Sequence, residues 1–329
     1  MRFVVVGTGS IGQRHCRNLV ALGREVTAWD PSADRRRQAT AIAGVAVRES
    51  LEEVLGAKPD AAVICSPPAQ HVELARDALE AGAHVFVEKP IATTSLEVPG
   101  LIELAVSHGK HLAVGMNLRF LPSLRRVAAL LAENRLGRVV ALRAEFGGYL
   151  PDWRPGRDYR DNYAVSAAAG GGILLDAIHE LDYLGWLFGE ATEVSATAAH
   201  LSALAGDTED LAELTLRFAS GVLGQVHLDY LQRAYRRNLQ VIGQAAVLIW
   251  DYPTHTVTVH GADGARDEED FRAAEGEAND MYLDEMRHFI RCVEGRATPL
   301  VDGREALRSL RLVEAAKVSS HERCWVNVE

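Results

Sequence analysis

The chain has 329 residues, enough for two domains at roughly 100–200 residues each, and its 48% hydrophobic and 24% charged content is that of a soluble globular protein. A net charge of −10 disfavours a phosphate backbone as general partner, and no stretch approaches the roughly 20 apolar residues of a membrane helix, so neither nucleic acid nor membrane is expected. Cys16, Cys65, Cys292 and Cys324 form no CxxC pair and no zinc spacing, and the apolar run Phe3–Val6 is too short for a signal peptide; a cytoplasmic protein without a metal site is expected.

Short apolar runs alternate with amphipathic segments through the first third of the chain. Phe3–Val6, Val26–Trp29, Ala61–Cys65, Val85–Val87 and Leu112–Val114 read as strands. Their near-continuous apolar character suits parallel strands buried on both faces. Ile11–Leu22, Val72–Ala81 and Leu96–Ser107 read as helices, the first two closed by Gly23 and Gly82. Strands alternating with helices predict a doubly wound parallel sheet, assigned to a dinucleotide-binding domain over residues 1–118.

The pattern changes after Asn117. Leu124–Leu131 reads as a helix and Val139–Phe146 as a strand. Residues 147–172 show little regular pattern and are rich in Gly, Arg and aromatics, the mark of a functional loop. Ile173–Phe188 reads as one helix. Strands follow at Glu193–Ala199, Leu211–Phe218, Val222–Leu228, Asn238–Ile242 and Val247–Trp250, predicting a large, mostly antiparallel sheet. Asp267–Asp270 reads as a solvated loop. Met281–Val293 and Arg304–Val318 read as closing helices. Residues 119–329 are thus expected to form a second, α+β domain.

The segment Gly7-Thr8-Gly9-Ser10-Ile11-Gly12 follows a predicted strand and opens a predicted helix. In that context Gly7 permits the tight turn, Gly9 lets backbone approach a pyrophosphate, and Gly12 lets the helix pack on the strand. The helix N-terminus, with Ser10 and Ile11, supplies free N–H groups and a positive dipole. Asp30 lies 21 positions after Gly9, at the end of the second strand, where a carboxylate accepts from the ribose hydroxyls. It favours NAD; Arg35, with Arg36 and Arg37, leaves NADP open.

Three more signatures stand beside this one: Ser66-Pro67-Pro68 with His71; Glu88-Lys89-Pro90 after a strand; and Gly170-Gly171-Gly172 leading to Asp176, His179, Glu180 and Asp182. Over nearly its full length the chain resembles the Gfo/Idh/MocA oxidoreductases. The resemblance implies an N-terminal Rossmann domain and a C-terminal domain with an open-faced sheet, which often mediates homodimers or homotetramers. It implies that Ser66, Pro67, His71, Glu88 and Lys89 join the dinucleotide site, and that Lys89 and His179 face nicotinamide and substrate with Asp176 beside them. Many members space the Asp and His four apart; here they are three apart, and both spacings share one helix face. The segment Tyr149–Arg160 also looks like a subgroup tied to surface-polysaccharide sugars.

Moving a hydride off a secondary alcohol needs a base for the hydroxyl proton and a donor for the developing alkoxide charge. His179 is the candidate base, because its ordinary pKa lies near neutrality. Lys89 is the candidate donor and Asp176 the group that orients either. Glu180 and Asp182 read as structural or solvated. Arg154 and Arg157 either bind a substrate anion or form a surface cluster. Trp153, Tyr159 and Tyr163 either stack on a sugar ring or pack in a core. Asn117 and Arg119 either contact substrate or anchor structure. The expected activity is an NAD(P)-dependent dehydrogenase of a sugar-like small molecule. An NAD-dependent glycosidase would instead release sugar without net cofactor change. A dinucleotide-sensing regulator would not need the lysine and histidine present here.

Overall fold

The computed structural model describes residues 1–154, 156–276 and 278–328. Pro155, inside the Tyr149–Arg160 segment, Glu277 and Glu329 lie outside the described residues. The chain forms two compact units: Met1–Asn117 with Met281–Leu307, and Leu118–Asp280 with Arg308–Glu329.

The first unit opens with β1 (Arg2–Val6), α1 (Ser10–Ala21), β2 (Glu25–Trp29), α2 (Ala33–Thr40), β3 (Val45–Val47) and α3 (Leu51–Gly56). It continues through β4 (Ala61–Ile64), α4 (His71–Glu80), β5 (His84–Glu88), α5 (Val98–Ser107) and β6 (Leu112–Gly115). The six strands run parallel in the order β3-β2-β1-β4-β5-β6. The order reverses between β1 and β4, and in open α/β sheets ligands bind at that switch point, outside the C-terminal strand ends. Residues 12, 15, 16 and 19 of α1 are buried, a helical stripe facing the sheet. Sequence patterning predicts neither β3 nor the two short helices, which are too polar or too short to show a period. The helix predicted from Leu96 begins at Val98, and Leu96 is exposed. Phe289, from far along the chain, sets its ring edge-on to Phe3, and with Met286 and Ile290 it completes this unit's core.

The second unit continues with α6 (Pro122–Ala132), β7 (Val139–Gly147), α7 (Ile173–Asp176), α8 (Ile178–Phe188), β8 (Ala191–Ala199), β9 (Leu211–Phe218) and β10 (Leu223–Asp229). Then come β11 (Arg236–Gly243), β12 (Ala246–Asp251), β13 (Thr256–Gly261), β14 (Arg266–Asp270) and α9 (Arg272–Glu275). α10 (Asp280–Val293) belongs to the first unit from Met281 on, α11 (Gly303–Glu322) belongs to the second from Arg308 on, and β15 (Val326–Asn327) is the last described strand. Nine strands form one sheet in the order β14-β13-β12-β11-β7-β10-β9-β8-β15. Only β7 and β10 pair in parallel; the other pairs are antiparallel. Alternating burial along β9 gives the sheet one covered and one open face.

Two expectations need correction here. Asp267–Asp270 is not a loop but most of β14, the edge strand against β13, and its residues remain largely exposed. Charged side chains on an edge strand block pairing with other chains, so a charge run and an edge strand are compatible. Ile173–Phe188 is not one helix: Ala177, at φ −91° and ψ 24°, separates α7 from α8. Asp176 closes one helix and His179 lies in the first turn of the next, so the shared-face argument does not apply. Past Gly147, the end of β7, the described residues up to Gly172 form 3₁₀ turns, as their lack of period implies.

Candidate active site

Within the first unit the glycine turn is built by close packing. Gly7 has φ +91°, and a Cβ there would sit 2.7 Å from the Cys65 carbonyl carbon. A Cβ on Gly12 would lie 1.9 Å from the Gly7 carbonyl oxygen. A Cβ on Gly9 would meet nothing within 4 Å, so backbone there borders open space. Gly9 is also the N-cap of α1, and no side chain caps that end. Its first-turn N–H groups, those of Ser10 and Ile11 included, are available to an anion. Ile11 itself packs its side chain on the core.

Asp30 is almost wholly buried at the end of β2. Its carboxylate accepts from the backbone N–H of Thr8 (2.7 Å) and of Ser32 (2.9 Å). Each oxygen keeps lone-pair capacity for a further donor. Arg35, exposed, holds its guanidinium 3.8 Å from Asp30. Arg36 donates instead to the carbonyls of Asp30 and Pro31 and to Glu49, and Arg37 pairs with Asp34. Open backbone at Gly9, an uncapped helix end and a carboxylate after β2 together fit a dinucleotide.

Ser66 and Pro67 follow β4 and are half-buried, and the Ser66 nitrogen lies 2.8 Å from where a Gly7 Cβ would be. His71 is buried, with Nδ1 2.7 Å from the Pro90 carbonyl and Nε2 2.8 Å from that of Ser66. Burial pushes its pKa below the ordinary value, and a neutral imidazole carries one N–H for the two carbonyls. Its ring therefore ties loops together rather than facing outward. Glu88 likewise turns inward: its Oε1 is 2.6 Å from His15 Nε2. Lys89 follows β5, half-buried. Burial holds the Cys16 thiol up at about 12 and Cys65 well above its ordinary value, so both pack as protonated thiols. Asn117 is buried at the end of this unit's first segment.

In the second unit the Asp176 carboxylate accepts from two phenols: Tyr163 at 2.8 Å and the buried Tyr230 at 3.2 Å. Burial, with the Asp176 charge beside it, raises the Tyr230 pKa well above its ordinary value, so this phenol stays a donor. The glycines let this segment pack closely, Gly171 against Tyr163 and Gly172 against Glu209. A Cβ on Gly171 would lie 2.3 Å from the Tyr163 carbonyl oxygen, and one on Gly172 2.5 Å from the Glu209 carboxylate. His179 is half-buried. Arg119 is buried and its fork engages Asp182 through two 2.8 Å hydrogen bonds, while Glu180 lies 2.8 Å from Arg237. These ion pairs are structural, and Arg119 is committed to Asp182. Trp153 packs edge-on to Phe146 and Tyr230, 5.4 Å from the latter. The Tyr159 hydroxyl accepts from the Ala205 N–H at 3.0 Å. Arg154 and Arg157 are exposed. Sequence reasoning missed Thr8, His15 and Tyr230; only His15 carried a signal, three residues past Gly12 on the buried stripe.

The family models agree with this architecture. "Oxidoreductase family, NAD-binding Rossmann fold" matches residues 1–116, and "Oxidoreductase family, C-terminal alpha/beta domain" matches residues 128–328. The chain belongs to the Gfo/Idh/MocA oxidoreductase family. Like other Gfo/Idh/MocA chains, it pairs an NAD-binding Rossmann unit with an α/β unit. The myo-inositol 2-dehydrogenase of Thermotoga maritima is 30% identical over 100% of this chain and 99% of its own. Among solved structures, GenD2 from gentamicin A biosynthesis, in complex with NAD, has TM-score 0.86 at 25% identity, covering 100% of this chain and 96% of that one. The WlbA dehydrogenase from Bordetella pertussis, in complex with NADH and UDP-GlcNAcA, has TM-score 0.86 at 24% identity, covering 100% and 98%, a likeness of fold.

Proposed function

We propose that this oxidoreductase moves a hydride between NAD and a hydroxyl-bearing carbon of a sugar, polyol or sugar derivative. Full-length similarity to a myo-inositol dehydrogenase, joined to the fitted dinucleotide turn, is the observation that carries the reading. When bound, the nicotinamide accepts or gives the hydride. Residues 1–118 hold the dinucleotide and residues 119–329 serve substrate and assembly. Gly7, Gly9, Ser10, Ile11 and Gly12 present backbone to the pyrophosphate, and Asp30 takes the ribose hydroxyls with Arg35 at its rim. Ser66 and Pro67 shape the rest of that wall, and His71 and Glu88, turned inward, hold its turns from behind. Lys89 donates to the reacting hydroxyl, His179 takes its proton, and Asp176, held by two phenols, orients them. Asn117, Trp153, Arg154, Arg157 and Tyr159 remain candidate substrate contacts; Arg119 serves through Asp182. The protein acts in the cytoplasm, and two copies meet through the open face of the nine-stranded sheet.

The test is a screen of NAD and NADP reduction against polyols, aldoses, uronic acids and nucleotide sugars. Turnover of at least one polyol or sugar with NAD is expected; release of a sugar with no net change in cofactor absorbance would overturn the reading. Lys89→Ala is expected to lose turnover by about 10²-fold or more while NADH still binds, measured by steady-state rates beside a fluorescence titration.

A further inference from the structure

We propose that two buried histidines, His15 and His71, are positioning residues that brace Lys89 through its sequence neighbours. The inference rests on the role given to Lys89 above. Lys89 stands between Glu88 and Pro90, and each neighbour is tied down by an imidazole. The Glu88 carboxylate is 2.6 Å from His15 Nε2, and His15 is fully buried, with its ring edge-on to Phe86 and Tyr282. The other Glu88 oxygen accepts from the Lys89 backbone N–H at 3.3 Å. Gly115 leaves room for this fold-back: a Cβ there would stand 3.2 Å from that oxygen and 3.0 Å from the Phe86 ring. On the other side, the Pro90 carbonyl lies 2.7 Å from His71, whose second nitrogen reaches Ser66 at 2.8 Å.

The two histidines come from the helices that follow the dinucleotide turns. His15 is on α1, behind the glycine turn, and His71 opens α4, behind Ser66 and Pro67. The turn carrying the amine is therefore tied to α1 through His15 and set against the Ser66 turn through His71. Glu88 or Pro90 cannot shift without leaving a buried polar group unpaired. An amine on a long flexible stem gains direction only if its backbone is fixed, and displacement near 1 Å at a reacting group costs about 10²-fold in rate.

The variants are His15→Ala, His71→Ala and His15→Gln, whose amide still donates to Glu88, in the full chain and each checked for a cooperative thermal transition. Two readouts need no substrate: NADH affinity, and the rate at which an amine-acylating reagent labels Lys89 relative to Lys58, Lys110 and Lys317, read by peptide mass spectrometry. In the alanine variants, Lys89 labelling is expected to change about fivefold or more while NADH affinity stays within about threefold, and His15→Gln returns toward wild type. On a substrate from the screen, kcat falls by about tenfold or more with KM little changed. Unchanged Lys89 labelling in folded alanine variants overturns the brace, as does labelling that changes only in step with lost NADH binding. If the alanine variants do not fold, Glu88→Gln, which keeps the shape and removes the carboxylate, is read the same way. A screen without turnover sinks the dehydrogenase reading alone; labelling and NADH affinity still decide this one.

Discussion

Asp30 shows how one carboxylate serves structure and specificity together. Its hydrogen bonds to the N–H groups of Thr8 and Ser32 fix both the glycine turn and the start of α2. A 2′-phosphate would meet the same negative charge, with the exposed Arg35 3.8 Å from it and Arg36 engaged by backbone carbonyls and Glu49. Asp30→Ala is therefore expected to weaken NAD by about tenfold and NADP by less, measured as paired dissociation constants; equal weakening would remove the ribose argument. Tyr163 offers a second test at this scale. Its hydroxyl makes the shorter of the two phenol hydrogen bonds to Asp176, and removing one oxygen leaves the ring to pack as before. Tyr163→Phe is expected to lower kcat by about tenfold with a thermal midpoint near wild type. An unchanged kcat would separate Asp176 from the chemistry.

At the scale of elements, the break at Ala177 matters more than the spacing in the sequence. Three residues on one helix would share a face, but the turn at Ala177 ends α7 before α8 begins, and Asp176 accepts from Tyr163 and Tyr230. Strand β10 carries a different consequence. His227 lies between Asp229 (2.7 Å) and Glu213 (2.5 Å), on the open face of the sheet. The hydrogen bond to Asp229, followed by that to Glu213, raises its pKa to about 9 against burial. A raised histidine pKa adds stability that is fully present below its ordinary value of about 6.5 and is lost as pH rises through about 9. The thermal midpoint of the wild type is expected to fall between about pH 7 and pH 9.5, and less so in His227→Gln. Equal slopes for the two chains would place the titration elsewhere.

At the scale of the whole molecule, the open face presents Arg143, Glu145, Thr215, Gln225, His227 and Asn238, a polar surface on a sheet otherwise built to be covered. Sedimentation is expected to show at least twice the chain mass, and Thr215→Arg, near the middle of that face, to give the single chain; an undisturbed assembly would exclude this face as the interface. Much of this architecture was legible in the residues. The glycine turn, Asp30 and the apolar strands of the first sheet carry local signals, because a tight turn, a helix end and a strand buried on both faces each restrict the residue types they accept. So do the alternating strands from Glu193 to Trp250. The polar edge strand β14, the short β3, and the return of Phe289 to the core beside Phe3 had no local signal. Sequence alone determined the fold class, the dinucleotide turn and the identity of the chemical groups. Only the tertiary structure decided what those groups meet: Arg119 pairs with Asp182, His71 sits between two carbonyls, Glu88 pairs with His15, and Asp176 accepts from two phenols. The physical reason is that a buried polar side chain must find a partner, and partners 54 to 73 positions away, such as Tyr230 and Glu88, meet only once the chain has folded.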